Sequence, residues 1–184
     1  MIKKLKKTLG RQLLSSYKKK VQNAFDPSLD HCLASARALM QKAKYCYLIT
    51  HSERDWPSAR MVQPIVEPDS FVVWFGTDPK LRKVAEIKKN PNVTIAFGDE
   101  GDNANLILYG KATLVEDMQE RRKQWKNSWH LFFPGGSRGE NFVSIRVEPV
   151  EMELMHFKKN IVPEPFGLNP VKLIISDAAW RVEF

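Results

Sequence analysis

The sequence has few cysteines and no long apolar run. Of its 184 residues only Cys32 and Cys46 are cysteines, and they have no paired spacing. This argues against a disulfide framework and is typical of a reducing compartment, so we expect a cytoplasmic protein. No uncharged apolar run approaches the ~18 residues that indicate a membrane-spanning helix.

The motifs of several enzyme classes are also missing. There is no Gly-x-Ser-x-Gly elbow, His-Glu-x-x-His pair, Walker loop or dinucleotide fingerprint. The histidines lack metal-ligand spacing, so no metal site is predicted, although His51 or His156 alone could ligate a haem. They are His31, His51, His130 and His156. If the protein catalyses a reaction, a cofactor must therefore bring the chemistry.

Acidic residues are missing from the first 20 positions, which hold eight of the 29 basic residues. The other 164 residues balance 21 bases against 21 acids, so the net charge of +8 belongs to this segment. We predict a basic helical arm over residues 1–25. Its apolar stripe, interrupted by Lys6 and Lys20, consists of Ile2, Leu5, Leu9, Leu13, Tyr17 and Val21.

Several interpretations of the arm stay open. It could contact an anionic membrane surface or nucleic acid, dock on its own domain or on a second copy, or serve as an organelle-targeting peptide. Nucleic acid is the least expected partner, because the rest of the chain is neutral.

The remainder alternates short strand-like runs with three helices. Helices are predicted from Asp26-Pro27 to about Lys44, from Pro79 to Asn90, and over 117–130. Strands are predicted at 45–51, 58–66, 70–76, 92–98, 104–116, 141–147 and 149–157. Short turns between strands indicate a mainly β protein, an antiparallel sheet curled into a barrel over residues 26–160. Residues 161–184 are predicted to pack on it as an extension.

One predicted helix start carries charges of the wrong sign. Asp78 is expected to cap this helix, with Pro79 at its first position. Lys80, Arg82 and Lys83 then place cations at the positive end of the helix dipole. An anion held there, with Arg60 reaching it from another strand, would make those cations favourable, so we predict a phosphate site. The alternative is that Arg82 and Lys83 are simply solvated.

The order of several segments resembles the FMN-binding split barrel of pyridoxamine 5'-phosphate oxidase-like proteins. The segments are Arg60–Ile65, Phe71–Thr77, Arg82-Lys83, Asn90-Pro91 and Tyr109–Ala112. Trp125, Trp129, the Phe133-Pro134-Gly135 loop and Arg146–Pro149 most resemble the general-stress-protein branch. The resemblance covers residues 28–157 and implies a six-stranded antiparallel split β-barrel with flanking helices.

The resemblance further implies FMN at a homodimer interface. The phosphate would be held by Arg60, Arg82, Lys83 and Thr77, with Gly76 allowing a close approach. One edge of the ring system would be lined by Met61, Val62, Gln63, Pro64 and Ile65. Asn105 and the tryptophans Trp125 and Trp129 are expected as contacts from the partner chain. A core or interface position is the alternative for the tryptophans.

Two departures separate this chain from the true oxidases. The oxidase motif ends in lysine where this chain has Ile65, and the tail Trp180–Phe184 lacks the substrate-holding arginine and histidine pattern. We therefore expect an FMN-dependent oxidoreductase acting on an unknown small substrate, and not pyridoxamine-phosphate oxidase activity. The alternatives are a non-catalytic flavin-binding stress protein, or an interaction protein that works through its arm. A related flavin such as a deazaflavin remains an alternative to FMN.

Overall fold

The computed structural model describes residues 2–54, 56–164 and 168–183, with side chains from Gly10 onward. Its α-helices are α1 (Ile2–Ala24), α2 (Leu29–Lys42), α3 (Arg82–Lys89) and α4 (Met118–Lys123). Its strands are β1 (Cys46–His51), β2 (Pro57–Val62), β3 (Ile65–Val66), β4 (Val73–Thr77), β5 (Asn92–Asp99), β6 (Ala104–Val115), β7 (Val143–His156), β8 (Val171–Ser176) and β9 (Ala179–Glu183).

The strands form one antiparallel sheet with the order β2-β1-β5-β6-β7-β4-β3. The long strand β7 pairs with β6 along its length, while its other edge holds β4 in the first half and β8 in the second. The hairpin of β8 and β9 extends the sheet at that edge. Trp180 and Val182 of β9 pack against the core.

A bend at Gln63-Pro64 closes the sheet into a barrel. Before the bend, β2 pairs with β1, with Val62 opposite Cys46. After it, β3 pairs with β4, with Ile65 opposite Trp74. One continuous segment therefore joins both ends of the strand order, and counting β2 and β3 as one bent strand gives a barrel of six strands. The predicted mainly β split barrel with flanking helices is confirmed.

The barrel interior and the inner face of α2 form the core. Leu48, Ile95 and Leu154 are completely buried inside the barrel. Helix α2 covers one side with Cys32, Ala36, Leu39 and Met40, which recur at helical spacing. Both cysteines are free and buried, and burial raises the pKa of Cys32 to about 11 and that of Cys46 to about 12.

Two predicted helix starts are too early, by three residues for α3 and by two residues for α2. The Asp78 side chain accepts a hydrogen bond from the Lys80 backbone N–H at 2.8 Å, and α3 begins at Arg82. In the same way Asp26 accepts from Ser28 N–H at 2.9 Å, and α2 begins at Leu29. Each aspartate closes a local turn instead of capping a helix. The predicted stop of α3 at Asn90-Pro91 is confirmed.

Three further elements differ from the predicted ones. The predicted strands 141–147 and 149–157 are one strand, β7, in which Pro149 pairs with Gly110 at a register shift. The predicted helix 117–130 divides into α4 and a 3-10 helix, Asn127–Leu131. Strand β9 was not predicted at all.

The arm is the helix α1, and its side chains from Gly10 to Lys20 are all exposed. Phe25, directly after the helix, packs against the core. None of the helices described is both long and apolar enough to cross a membrane.

Candidate functional site

A depression of about 460 Å³ lies where the β2–β3 bend, the end of β4 and the start of α3 meet. We call it the site depression; its volume falls within the range of small-molecule pockets. Met61, Val62 and Gln63 line one edge, and Trp129, Phe132 and Phe133 line another. The remaining lining residues are Tyr45, Gly76, Thr77, Asp78, Leu81 and Lys83.

Lys83 is the cation that this depression contains. Its ammonium donates to the Thr77 hydroxyl at 2.9 Å. Within residues 10–54, 56–164 and 168–183, no carboxylate lies within 4 Å of Lys83 Nζ in an ion pair. Burial, followed by the charge of Arg60, lowers the pKa of Lys83, and the charges of Asp78 and Glu86 only partly offset this. A half-buried ammonium without a paired carboxylate is suited to an incoming anion.

Arg60 and Arg82 instead form ion pairs with a buried glutamate, Glu86. This glutamate was not predicted from the sequence as a site residue. Glu86, only 3% exposed, accepts a hydrogen bond from Arg60 Nη2 at 2.8 Å and one from the Thr50 hydroxyl. Arg82 Nε lies 3.1 Å from Glu86 Oε1. That oxygen accepts no hydrogen bond within the described chain, so Arg82 interacts with it through charge alone.

The Glu86 carboxylate is held in its charged form. Burial by itself would raise the pKa of Glu86, but the hydrogen bonds from Thr50 and Arg60, with the charges of Arg60 and Arg82, outweigh burial and lower it. Arg60 also donates to Thr50 Oγ1 and, at 3.4 Å, to Leu48 O. A guanidinium has five N–H donors, so Arg60 keeps donors beyond these three contacts for an anion.

The space that a side chain at Gly76 would need is occupied by aromatic rings of the same chain. A Cβ at this position would lie 2.6 Å from Trp129 and 2.8 Å from Phe142. Trp129 also donates to Gln63 Oε1 at 3.3 Å. With Trp125, Phe133 and Phe142 it forms an aromatic cluster of mostly edge-to-face rings. Trp129 thus supports one wall of the site depression from within its own protomer.

The predicted site residues are brought together only in part. Met61, Val62, Gln63, Gly76, Thr77, Lys83 and Trp129 line the depression. Arg60 does not line the depression but directly precedes Met61, which does, and its charge contributes to the lowered pKa of Lys83. Pro64 is buried at the bend and Ile65 pairs in β3. Arg82 lines a separate depression of about 440 Å³ with Trp56 and Glu86.

Asn105 lies in a third depression of this chain, beside Tyr47, Ala96 and Met155. Tyr45 lines both this depression and the site depression, so the two adjoin on one face. Within a single protomer Asn105 does not line the site depression.

Metal binding finds no support in the described residues, where no group of three or more His, Cys, Asp or Glu side chains is placed to hold an ion. His51 is exposed. His156 is buried, its Nδ1 has no partner in the described chain, and burial lowers its pKa. Neither histidine lines the site depression.

The curled antiparallel barrel, with the depression beside its bend, defines a split barrel with flanking helices. The family model for pyridoxamine 5'-phosphate oxidase like proteins matches residues 33–165, and the chain belongs to that family. The predicted resemblance is confirmed.

Particular relatives to which the chain is similar are general stress proteins. General stress protein 26 of Bacillus subtilis is 28% identical over 91 residues, which are 48% of this chain and 64% of that relative. The match thus spans less than two thirds of the relative's own length. The crystal structure of General Stress Protein 26 from Bacillus anthracis is 25% identical with a TM-score of 0.60, covering 68% of this chain and 94% of that one.

A further solved structure shares the fold. It is a pyridoxamine 5'-phosphate oxidase-related, FMN binding protein from Nostoc punctiforme, 18% identical with a TM-score of 0.63, covering 82% of this chain and 92% of that one.

Proposed function

We propose that this protein binds FMN in the site depression and acts as an FMN-dependent oxidoreductase on a small substrate. The observation that carries the proposal is Lys83, half-buried, bonded to Thr77 and without a paired carboxylate in the described chain. The FMN-binding description of the Nostoc relative supports the choice of cofactor.

The residues present fit the two ends of FMN. Lys83, Thr77 and the unused donors of Arg60 suit a phosphate dianion, which favours charge-assisted hydrogen bonds. The chain from Met61 to Gln63 and the aromatic wall suit a flat, mostly apolar ring. Bound FMN supplies hydride and electron transfer, which the side chains of the depression cannot perform themselves.

We further propose a homodimer that completes the site. Exposed apolar side chains line the depression, namely Tyr45, Met61 and Phe132, and Tyr47 is exposed in the adjoining depression. Such a patch is uncommon on a monomer and favours a second copy. A twofold partner would also supply Asn105, which lies on the same face but outside the depression of its own chain. The free, buried cysteines favour a cytoplasmic location.

Replacing Lys83 by alanine tests the phosphate contact. Losing one charge-assisted hydrogen bond costs roughly 1.5–3 kcal/mol, which weakens FMN binding about 10- to 150-fold. Lys88→Ala is the matched control, because Lys88 is an exposed cation on the same helix. FMN affinity is measured by quenching of flavin fluorescence. Equal losses in the two variants would mean that only overall charge matters.

Turnover separates the enzyme from a flavin-storing stress protein. The purified protein should be yellow and release FMN on heating. NADH or NADPH should then bleach the bound flavin, and an added acceptor should restore its colour. A yellow protein that no reductant bleaches would favour the non-catalytic alternative, and a colourless protein that takes up no FMN would contradict the proposal.

A further inference from the structure

The arm presents a solvent-exposed helix that the flavin site does not use. In α1 the side chains from Gly10 to Lys20 are all exposed, including Leu13 at 67% and Tyr17 at 51%. Helix α1 therefore leaves its apolar side chains in this stretch uncovered by the barrel. A helix that exposes such side chains beside so many cations has a surface suited to a partner outside the chain.

Sequence position separates most of the basic residues of this helix from most of its apolar residues. At about 100° per residue, Lys4, Lys7, Arg11 and Lys18 fall on one side, together with Leu14. The opposite side contains Ile2, Leu5, Leu9, Leu13 and Tyr17. Lys6 and Lys20 fall on the apolar side, where their long stems can lie along apolar surface while the ammonium groups reach toward polar surroundings.

We propose that α1 docks in the plane of an anionic lipid surface, with Leu13 and Tyr17 entering the headgroup boundary. Lys6 and Lys20 reach acidic headgroups beside them, and the other cations are attracted by the negative surface potential. Charge complementarity selects this partner, because residues 1–20 carry eight cations and no acid while the other 164 residues are balanced. Cationic amphipathic helices lie in the interface in this way. Phe25, packed against the core, connects the docked arm to the barrel.

The apolar side distinguishes a lipid surface from a nucleic acid. A phosphate backbone attracts the cations but gives no apolar environment to Leu13 and Tyr17. A lipid surface uses both sides of the helix. Binding should therefore depend separately on the charges and on the apolar side chains.

The test uses the full chain and vesicles of phosphatidylcholine with about 30 mol% phosphatidylglycerol. Wild type should sediment with these vesicles and not with pure phosphatidylcholine. Arg11→Gln with Lys18→Gln should weaken binding about 25-fold, since each basic residue near the surface contributes about fivefold. Lys111→Gln with Lys172→Gln removes equal charge from exposed barrel positions and should leave binding unchanged.

Leu13→Ser tests the apolar side, and because Leu13 is exposed the barrel should fold normally. We expect about tenfold weaker vesicle binding and unchanged binding to a DNA duplex. Three results would overturn the proposal: no binding of wild type to anionic vesicles, equal loss from the arm and barrel charge variants, or wild-type vesicle binding by Leu13→Ser. Tighter binding to duplex DNA than to the vesicles would also contradict it, and would assign the arm to nucleic acid.

Discussion

We expect the negative charge of Glu86 to hold the side chains of Arg60 and Arg82 in place. It is 3% exposed and contacts Arg60 Nη2 at 2.8 Å and Arg82 Nε at 3.1 Å. Glu86→Gln keeps the shape of the side chain but removes its charge. The amide N–H group would face either Thr50 and Arg60, which now donate to Oε2, or Arg82, which lies beside Oε1.

The expected cost follows from leaving one member of a buried ion pair alone. Breaking such a pair costs about 3–5 kcal/mol. The side chain of Arg60 is 18% exposed, so water can solvate part of its charge, and we expect a value near the lower limit, about 3 kcal/mol. For a chain of this size that corresponds to a melting temperature roughly 6–12 °C lower.

Urea unfolding at neutral pH measures this difference. Glu53→Gln is the matched control, because Glu53 is 78% exposed and its Lys89 partner is 3.8 Å away. We expect that control within about 0.5 kcal/mol of wild type. A Glu86→Gln protein as stable as the control would refute the idea that this carboxylate organises the two arginines.

Acid provides an independent check of the same residue. The folded-state pKa of Glu86 is lowered from the ordinary 4.5, so its stabilising contribution is complete above pH 4.5 and is lost as pH falls through the lower folded value. The stability gap between wild type and Glu86→Gln should therefore close in acid. A constant gap would mean that the loss is not electrostatic.

Two further outcomes follow from the site geometry. Lys83 binds phosphate only when it is protonated, and its pKa is lowered from the ordinary 10.5. As pH rises, FMN affinity should therefore begin to fall at a lower pH than a lysine of ordinary pKa would produce. In a pH titration of binding, Lys83→Ala should not show this fall. Gly76→Ala should destabilise the protein by about 1–3 kcal/mol in urea unfolding, since the new Cβ overlaps Trp129. Gly98→Ala should be close to neutral because it meets nothing within 4 Å, and a neutral Gly76→Ala would show that the aromatic wall yields freely.

The alternation of strands and turns was enough to predict the barrel. It was not enough to predict whether an aspartate caps a helix or closes a turn before it. At both Asp-Pro pairs, Asp26-Pro27 and Asp78-Pro79, the aspartate binds the backbone N–H two residues later. The same side chain can cap a helix or close a turn. Of the three cations predicted in the first turn of α3, Arg82 and Lys83 lie there, whereas Lys80 precedes the helix, which begins at Arg82.

The other differences between the predicted and the observed elements depend on how distant strands pair. Pro149 predicts a strand break, yet it falls opposite Gly110 at a register shift, where its missing N–H is tolerated. The hairpin before β9 turns on Asp177 and Ala178, both with positive φ. Such turns favour Asn-Gly or Asp-Gly, and Ala178 occupies the position where glycine is usual, so the sequence gives little sign of the hairpin.

Residues of the candidate site could be predicted from the sequence where the residue type itself indicates the chemistry. Lys83 and Thr77 meet as the phosphate hypothesis requires, while Arg60 and Arg82 are shared with a carboxylate. Glu86 was missed because a glutamate on a short basic helix resembles an ordinary solvated residue. Its burial results from the packing of α3 on β1 and β6, which no local pattern encodes.

Comparing FMN with riboflavin, which lacks the phosphate, tests the central claim most directly. If Lys83 and its neighbours bind the phosphate, wild type should bind FMN at least about tenfold more tightly than riboflavin, and Lys83→Ala should reduce that preference. Equal affinity of wild type for the two flavins, or no binding of either, would contradict the account.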